Sequence, residues 1–335
     1  MGDRFGRMRA VQVVEPTGPE HLQVREVPDP QPGEGQVLVE VYSIGVSFPD
    51  LLLSRGEYQL KPEPPFTLGV DVAGVVVSAP EGSGLSAGDR VAAVAPYGGA
   101  SELAVFGTDA VFRLPDALSF DEGAALPMNY LTAEFALHER AGLREGETVL
   151  VHGAAGGVGT ATIQVAKGMG ARVVAVCSTQ EKCDFAQAAG ADEAVLLEGF
   201  KDAVMTLTEG RGVDVVVDVV GGPVFTDSLR VLAAQGRLLV VGFAAGQGIP
   251  EVKVNRLLLN NVDVRGVGWG AYAMVRPGYM RRQWEALLPM VEAGTVKPPI
   301  GATYSLDELG RALVDMDQRR TLGKSVVRVR PDGAR

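Results

Sequence analysis

A glycine-rich turn near the middle of the chain constrains the fold more than any other feature. The apolar run Thr148–His152 leads into the turn, and a segment with helical spacing, Gly159–Gly170, leaves it. This is the context in which such a turn binds the pyrophosphate of a dinucleotide, because the helix N-terminus offers free N–H groups and a partial positive charge. The sequence therefore predicts a cofactor site at Ala155, Gly156, Gly157, Val158 and Gly159.

Two glycines of this turn have separate expected roles. Gly156 lacks a side chain, so the backbone can approach a pyrophosphate, and Gly159 lets the helix pack closely on the strand. Ala154 stands where the GxGxxG pattern has its first glycine.

The patterns of apolar residues, glycine and proline on either side of the turn predict two domains. A length of 335 residues is too great for one ordinary core. Residues 1–125 contain many short alternating or β-branched runs separated by Gly and Pro, which is typical of a barrel or sandwich. Residues 126–265 alternate short apolar runs with helical segments, which indicates a doubly wound parallel sheet. Residues 266–335 again mix helical and strand patterns, and they include a capping-box pattern at Ser305 and Glu308.

The end of the second predicted strand of this sheet indicates the cofactor type. An NAD site usually places a carboxylate there for the ribose 2′-hydroxyl, whereas Arg172–Cys177 is followed by Ser178 and Thr179. A hydroxyl from Ser178 and a cation from Lys182 suit a 2′-phosphate, so NADPH is predicted, although Glu181 lies beside them. Ligands lie beyond the carboxyl ends of such strands, so three residues after a later strand are also assigned to the cofactor: Gly242, Phe243 and Ala244.

Charge and composition exclude other partners. A net charge of −10 disfavours nucleic acid, and no apolar run reaches the length that spans a bilayer. Two cysteines imply no disulfide framework, so we expect a soluble, cytoplasmic protein.

Several motifs together resemble the zinc-free quinone oxidoreductases (zeta-crystallin-like proteins) of the medium-chain dehydrogenase/reductase superfamily. They are the turn itself, Leu68–Val76 (similar to LGxExAGxV) and Leu126–Ala133 (similar to LPxxxxTA). The resemblance covers nearly the whole chain. It implies a GroES-like β-barrel catalytic domain, to which the tail returns, and a Rossmann domain that binds NADPH.

The zinc ligands of related alcohol dehydrogenases are missing. Ser47 stands at the Cys position of the GxCxxD segment, and Val70 stands at the His position of GHExxG. Zinc requires thiolate or imidazole ligands, and Val70 offers none. We therefore expect no metal.

The resemblance also assigns candidate catalytic residues. Ser47–Tyr58 resembles the NxxDxxxRxGxY motif of the zinc-free branch, in which the tyrosine orients or protonates a substrate oxygen. Tyr58 is the leading candidate, although a packing role is equally open. Ser47 replaces the usual Asn, Asp50 braces the loop or takes part in chemistry, and Thr132 lies near the nicotinamide or caps a helix. Lys324 would contact the pyrophosphate or remain on the surface.

Three functions remain open at this point. The first is hydride transfer from NADPH to a quinone, and the second is reduction of an α,β-unsaturated carbonyl or enoyl thioester. Arg276, Arg281 and Arg282 are candidates for binding a CoA diphosphate in the thioester case. The third is NADPH binding with little turnover. Relatives of this kind are often dimers joined through the edges of their nucleotide-domain sheets, and residues 262–270 are a candidate edge.

Overall fold

The computed structural model describes residues 6–330, which form two compact units. The first unit ends at Met128 and resumes at Pro298, and the second spans Asn129–Lys297. The first division falls close to the expected residue 125. The return begins at Pro298 rather than at 266, because the helix at Tyr279–Glu292 is fixed to the second unit, where Gln283 Nε2 donates to the carbonyl of Leu131 at 3.0 Å.

The N-terminal part of the first unit consists mainly of short strands. In chain order its elements are β1 (Arg7–Val13), β2 (Gln23–Pro28), β3 (Gln36–Gly45), α1 (Phe48–Ser54), β4 (Phe66–Thr67), β5 (Asp71–Ser78), β6 (Arg90–Val94), β7 (Leu103–Gly107), β8 (Val111–Arg113) and α2 (Phe120–Ala125).

The second unit alternates strands and helices. Helix α3 (Pro127–Glu134) crosses the division and continues into a π-helical turn at Phe135–Ala141. The elements that follow are β9 (Thr148–His152), α4 (Gly157–Gly168), β10 (Arg172–Cys177), α5 (Gln180–Ala188), β11 (Glu193–Leu196), α6 (Phe200–Leu207), β12 (Val213–Asp218), α7 (Val224–Arg230), β13 (Leu232–Val240), α8 (Asn255–Asn260), β14 (Asp263–Gly266), α9 (Trp269–Ala273) and α10 (Tyr279–Glu292).

The returning segment adds β15 (Ile300–Ser305), α11 (Leu309–Asp317) and β16 (Lys324–Arg328) to the first unit. Strand β16 pairs antiparallel with β3, with Val326 opposite Gly45. This pairing extends a seven-stranded sheet of order β15-β16-β3-β5-β6-β8, in which β7 also pairs with β3. A second sheet has the order β2-β1-β4. The predicted capping box is present, since Glu308 accepts hydrogen bonds from both the amide and the hydroxyl of Ser305 at 3.0 Å.

The sheet of the second unit has six parallel strands in the order β11-β10-β9-β12-β13-β14. The predicted fold class, a β-rich domain plus a doubly wound parallel sheet, is therefore confirmed. Strands β9 and β12 are buried along their whole length because helices cover both faces of such a sheet, which explains their valine-rich runs. The strand order reverses between β9 and β12, and ligands bind beyond the strand ends at such a point.

Candidate functional site

The glycine-rich turn connects β9 to α4 as the sequence predicts. Gly153 has a positive φ of 60°, and a Cβ at this position would lie 2.7 Å from Val219 Cγ2 in the loop after β12. At Gly159 a Cβ would lie 2.2 Å from the carbonyl oxygen of Gly153. Only glycine permits this contact between the start of α4 and the end of β9, so the packing role expected of Gly159 is present in the structure.

The start of α4 has the geometry of an anion site. Gly156 is the N-cap residue in an extended conformation, and a Cβ there would have one neighbour, the Gly153 oxygen at 3.3 Å. The first N–H groups of a helix have no intrahelical acceptors, and they carry the positive end of the helix dipole. The turn therefore fits the pyrophosphate of a dinucleotide, which would lie against Gly156, Gly157 and Val158.

The tip of β10 carries no carboxylate. Cys177 is buried, Ser178 is exposed, and Thr179 caps α5 by accepting a hydrogen bond from the amide of Lys182 at 3.3 Å. Burial, together with the neighbouring Cys183, raises the pKa of Cys177 to about 12, so this thiol remains protonated. The polar side chains that follow this strand end include the hydroxyl of Ser178, the exposed carboxylate of Glu181 and the partly buried ammonium of Lys182.

The loops after β12 and β13 are tied to one another. The amide of Val241 donates to the carbonyl of Asp218 at 2.9 Å, and the amide of Ala244 donates to the carbonyl of Val219 at 3.1 Å. These bonds hold Gly242, Phe243 and Ala244 beyond the carboxyl end of β13, on the side of the sheet where the glycine-rich turn lies. The sequence analysis missed Asp218, whose buried Oδ1 accepts from the amides of Val220 and Gly221.

His152, the last residue of β9, is also a structural residue that the sequence did not assign. Its side chain is buried, and its Nε2 lies 2.8 Å from Ser228 Oγ in α7. Burial lowers the pKa of the His152 imidazole to about 4, so the ring is neutral at pH 7. The contact fixes α7 to the strand that leads into the turn.

In the first unit, four polar side chains form what we call the Lys324 cluster: Ser47, Asp50, Asp71 and Lys324. All four are almost fully excluded from solvent, with exposed fractions of 3%, 0%, 0% and 4%. The ammonium of Lys324 lies 2.6 Å from Ser47 Oγ and 2.9 Å from Asp71 Oδ2. Ser47 Oγ in turn donates to Asp71 Oδ2 at 2.7 Å. The cluster joins three segments that are far apart in the sequence.

Local structure positions each member of the cluster. Strand β16 brings Lys324 beside the end of β3, and Gly45 makes room for the lysine stem, since a Cβ at Gly45 would lie 2.8 Å from Lys324 Cε. Asp71 begins β5 and accepts a further hydrogen bond from the amide of Met128 at 2.8 Å. Sequence reasoning did not find the Lys324–Asp71 pair, although a charged residue within the apolar run Leu68–Val76 signals that a partner is required.

Asp50 holds the loop around α1. Its Oδ2 accepts from the amide of Ser47 at 3.2 Å, and its Oδ1 accepts from the amide of Gly69 at 3.0 Å. Complete burial, and after it the charge of Asp71, raises the pKa of Asp50 to about 7. Tyr58 is half-buried against the core of the same unit, and burial together with Asp50 raises the pKa of its phenol, which therefore stays protonated at neutral pH.

Two of the predicted catalytic residues of the first unit, Ser47 and Asp50, belong to the Lys324 cluster, and the charge of Asp50 acts on the phenol of Tyr58. The hydroxyl of Ser47 has a single proton, and it uses this proton to donate a hydrogen bond to Asp71. The ammonium of Lys324, which we expected either at the pyrophosphate or on the surface, contacts Ser47 and Asp71, and its burial rules out the surface alternative. Thr132 belongs to the second unit, buried within α3 two residues before its end, so it does not cap the start of that helix. The catalytic and cofactor roles themselves stay predictions.

Two absences are found in residues 6–330, the part of the chain that the structure describes. No helix there combines the length and apolar character that crossing a bilayer requires. In the same range, no group of three or more His, Cys, Asp or Glu side chains is arranged to hold a metal ion.

Comparison with known proteins identifies the family. Residues 33–116 match the alcohol dehydrogenase GroES-like domain, and residues 157–293 match the family described as zinc-binding dehydrogenase. The rat quinone oxidoreductase-like protein 2 is 38% identical over 90% of this chain and 87% of its own length, and the rat quinone oxidoreductase is 34% identical over 92% and 94%. The quinone oxidoreductase of Thermus thermophilus, solved also in complex with NADPH, is 36% identical with a TM-score of 0.83, covering 96% of this chain and all of that one.

The fold therefore defines an oxidoreductase of the medium-chain dehydrogenase/reductase superfamily, with a GroES-like domain and a Rossmann domain. Within that superfamily, the chain belongs to the quinone oxidoreductase family. The resemblance recognised in the sequence motifs is confirmed.

Proposed function

We propose that this chain is a zinc-independent reductase that uses NADPH to reduce quinones. The observation that carries the proposal is the end of β10, where Ser178 and Lys182 stand in place of the carboxylate that would bind the ribose 2′-hydroxyl of NAD. A hydroxyl and a cation at this position complement a 2′-phosphate. The NADPH complex of the T. thermophilus relative and the names of the rat relatives support the cofactor and the acceptor, respectively.

The chain's own residues supply binding and orientation. When bound, NADPH supplies the hydride, and the start of α4 holds its pyrophosphate. Thr132, together with Gly242, Phe243 and Ala244, is assigned to orienting the nicotinamide half. The protonated phenol of Tyr58 is assigned to donating a hydrogen bond, and then a proton, to the substrate oxygen on which negative charge develops.

The Lys324 cluster supports independence from zinc. Val70 has no metal ligand to offer, and both Ser47 and Asp71 are bound to the ammonium of Lys324. A fixed cation is thus already present where the alcohol dehydrogenase motifs place metal-binding residues. We expect prolonged incubation with a chelator to leave activity unchanged. Activity that falls on chelation and returns with zinc would contradict this.

A second candidate function, reduction of α,β-unsaturated carbonyls or enoyl thioesters, is favoured by Tyr58. Reduction of a carbon–carbon double bond requires a proton at carbon as well as a hydride, and the half-buried phenol of Tyr58, which is protonated at neutral pH, has a proton to donate. The thioester case has weaker support, because Arg276, one of the candidates for a CoA diphosphate, already stacks on the Tyr272 ring at 3.6 Å.

The test is NADPH consumption with an ortho-quinone in one assay and an alkenone or enoyl thioester in another, for the wild type and Tyr58→Phe. Fast turnover of the quinone alone supports the first function. Fast turnover of the unsaturated carbonyl, reduced roughly a hundredfold by Tyr58→Phe, assigns the second. If NADPH is consumed in neither assay but still binds, the chain is a cofactor-binding protein with little turnover.

We also propose a homodimer formed through the second unit. Strand β14 is the edge of the parallel sheet, and an unpaired edge is a template for another strand. Large apolar side chains nearby are strongly exposed, among them Val254, Leu258 and Leu259 at 73%, 75% and 74%. Light scattering should give twice the chain mass, and Leu258→Glu with Leu259→Glu should give the monomer mass. A wild-type monomer would overturn the assignment.

We also propose that the protein is cytoplasmic. Its two cysteines are free and buried, which supports this location.

A further inference from the structure

A buried carboxamide lies against the first residue of α4. Asn129, in α3, is 5% exposed, and none of the hydrogen bonds found among the described residues involves its side chain, whose polar atoms are also not among the fully buried ones that lack a partner. Amide groups in the interior of proteins nearly always have a hydrogen-bond partner, which is either protein, water or a ligand. A carboxamide that is mostly buried, makes no bond to the protein and keeps a small solvent-accessible area is therefore placed to bind a group that comes from outside the polypeptide.

Gly157 shows where this carboxamide lies relative to the glycine-rich turn. A Cβ on Gly157 would lie 2.4 Å from Asn129 Nδ2, and all three of its nearest neighbours would be atoms of the Asn129 carboxamide. Gly157 is the first residue of α4, directly after the N-cap Gly156. The amide group thus occupies the space that a side chain at the start of this helix would fill, beside the free N–H groups of the first turn.

We propose that Asn129 is a cofactor-binding residue whose Nδ2–H group donates a hydrogen bond to a pyrophosphate oxygen of the bound dinucleotide. The helix N-terminus attracts the anion, and the carboxamide adds a neutral donor at its side. This inference rests on the proposed function, since it requires a nicotinamide dinucleotide at this turn. It also gives Gly157 a specific reason to be glycine, namely to leave room for the carboxamide.

The proposal separates two parts of the cofactor. NADPH and NADH share the pyrophosphate, so loss of the Asn129 amide should weaken both equally. Adenosine 2′-monophosphate carries the adenosine and the 2′-phosphate but no pyrophosphate, and its binding should not change. Lys182, assigned to the 2′-phosphate, has the opposite signature.

The experiment measures the dissociation constants of NADPH, NADH and adenosine 2′-monophosphate by calorimetric titration of the full-length protein. We expect Asn129→Ala to weaken NADPH and NADH by roughly tenfold each, the loss typical of one hydrogen bond to a charged group. Asn129→Asp keeps the size of the side chain but places a carboxylate beside the pyrophosphate, so the loss should be roughly a hundredfold. The matched control is Asn260→Asp, which makes the same change at an exposed position at the end of α8 and should leave all three constants unchanged.

A double-variant cycle tests the geometry. Gly157→Ala should weaken both dinucleotides because its Cβ displaces the carboxamide, and the added loss should be much smaller in an Asn129→Ala background, where that space is empty. Equal losses in the two backgrounds would contradict the steric argument.

Three other results of these titrations would overturn the proposal that Asn129 binds the pyrophosphate. NADPH affinity within about twofold of wild type in Asn129→Ala would overturn the proposal, as would a loss confined to NADPH. A parallel loss of adenosine 2′-monophosphate would indicate damage to the unit as a whole, and would overturn it too. If the wild-type protein bound neither NADPH nor NADH, the proposed function would fail together with this inference.

Discussion

The glycine-rich turn and the Lys324 cluster are two ways of building a functional region. The turn is a continuous segment in which backbone groups do the binding, and its glycines remove side chains that would prevent the approach. The cluster is made of charged and polar side chains that come from β5, β16 and the start of α1. The structure of the turn depends on local backbone geometry, whereas the stability of the cluster depends on the pairing of charges that are buried away from water. The two regions should therefore fail in different ways when they are altered.

The largest expected effect is on the cluster. Lys324→Met leaves the carboxylate of Asp71 buried without its cation, which should lower the free energy of unfolding by about 3–5 kcal/mol. The matched control is Lys167→Met, which breaks a lysine–aspartate pair with Asp192 of similar length, 2.8 Å, at the surface and should cost about 1 kcal/mol or less.

Urea denaturation measures both changes. Adding Asp71→Asn to Lys324→Met removes the unpaired charge while keeping an acceptor for the Met128 amide, so much of the lost stability should return. Equal losses for the buried Lys324 and the partly exposed Lys167 would show that burial of the pair has no energetic importance.

The turn should respond to an added methyl group. Gly159→Ala places a Cβ 2.2 Å from the Gly153 oxygen, which the backbone can relieve only by moving α4 away from β9. We expect a loss of about 1–3 kcal/mol in stability together with loss of dinucleotide binding. Gly168→Ala is the control in the same helix, because its Cβ would meet the flexible Met290 side chain, which can move. Thermal denaturation and cofactor titration compare the two, and similar behaviour would refute the close-contact explanation.

The pH dependence of stability should sharpen the description of the cluster. The pKa of Asp50 is raised to about 7 in the folded protein, so between pH 3.8 and 7 the folded state binds more protons than the unfolded state. The contribution of Asp50 to stability is therefore greatest at low pH and is lost as the pH rises to about 7, with a slope of at most about 1.4 kcal/mol per pH unit. Asp50→Asn cannot titrate, so its stability relative to wild type should improve as the pH rises over this range. A constant difference between the two would contradict the raised pKa.

The smallest expected effect concerns the 2′-phosphate. Lys182→Ala removes one contact of a partly buried cation and should weaken NADPH roughly tenfold while leaving NADH nearly unchanged. Paired titrations with the two cofactors measure this ratio. Equal losses for both would mean that Lys182 does not bind the 2′-phosphate, and NADPH preference would then need another explanation.

Much of the fold was predictable from the sequence because its signals are local. The runs Thr148–His152 and Arg172–Cys177 became β9 and β10 with the same bounds, and the capping box at Ser305 and Glu308 is present. The segment expected at an edge contains β14, the edge strand of the sheet. The return to the first unit was placed too early, because the amphipathic pattern of α10 does not specify which unit its apolar face contacts.

The sequence by itself determined the glycine-rich turn, the alternation of strands and helices around it and the presence of Ser47 and Val70 at the two motif positions, because a backbone conformation and a side-chain type are properties of single residues and their neighbours. Tertiary structure alone decided that Lys324 pairs with Asp71 and Ser47, and that the Asn129 carboxamide lies against Gly157. Those contacts join residues that are distant along the chain. Their energies come from burial, and burial is a property of the folded molecule and not of any segment of it.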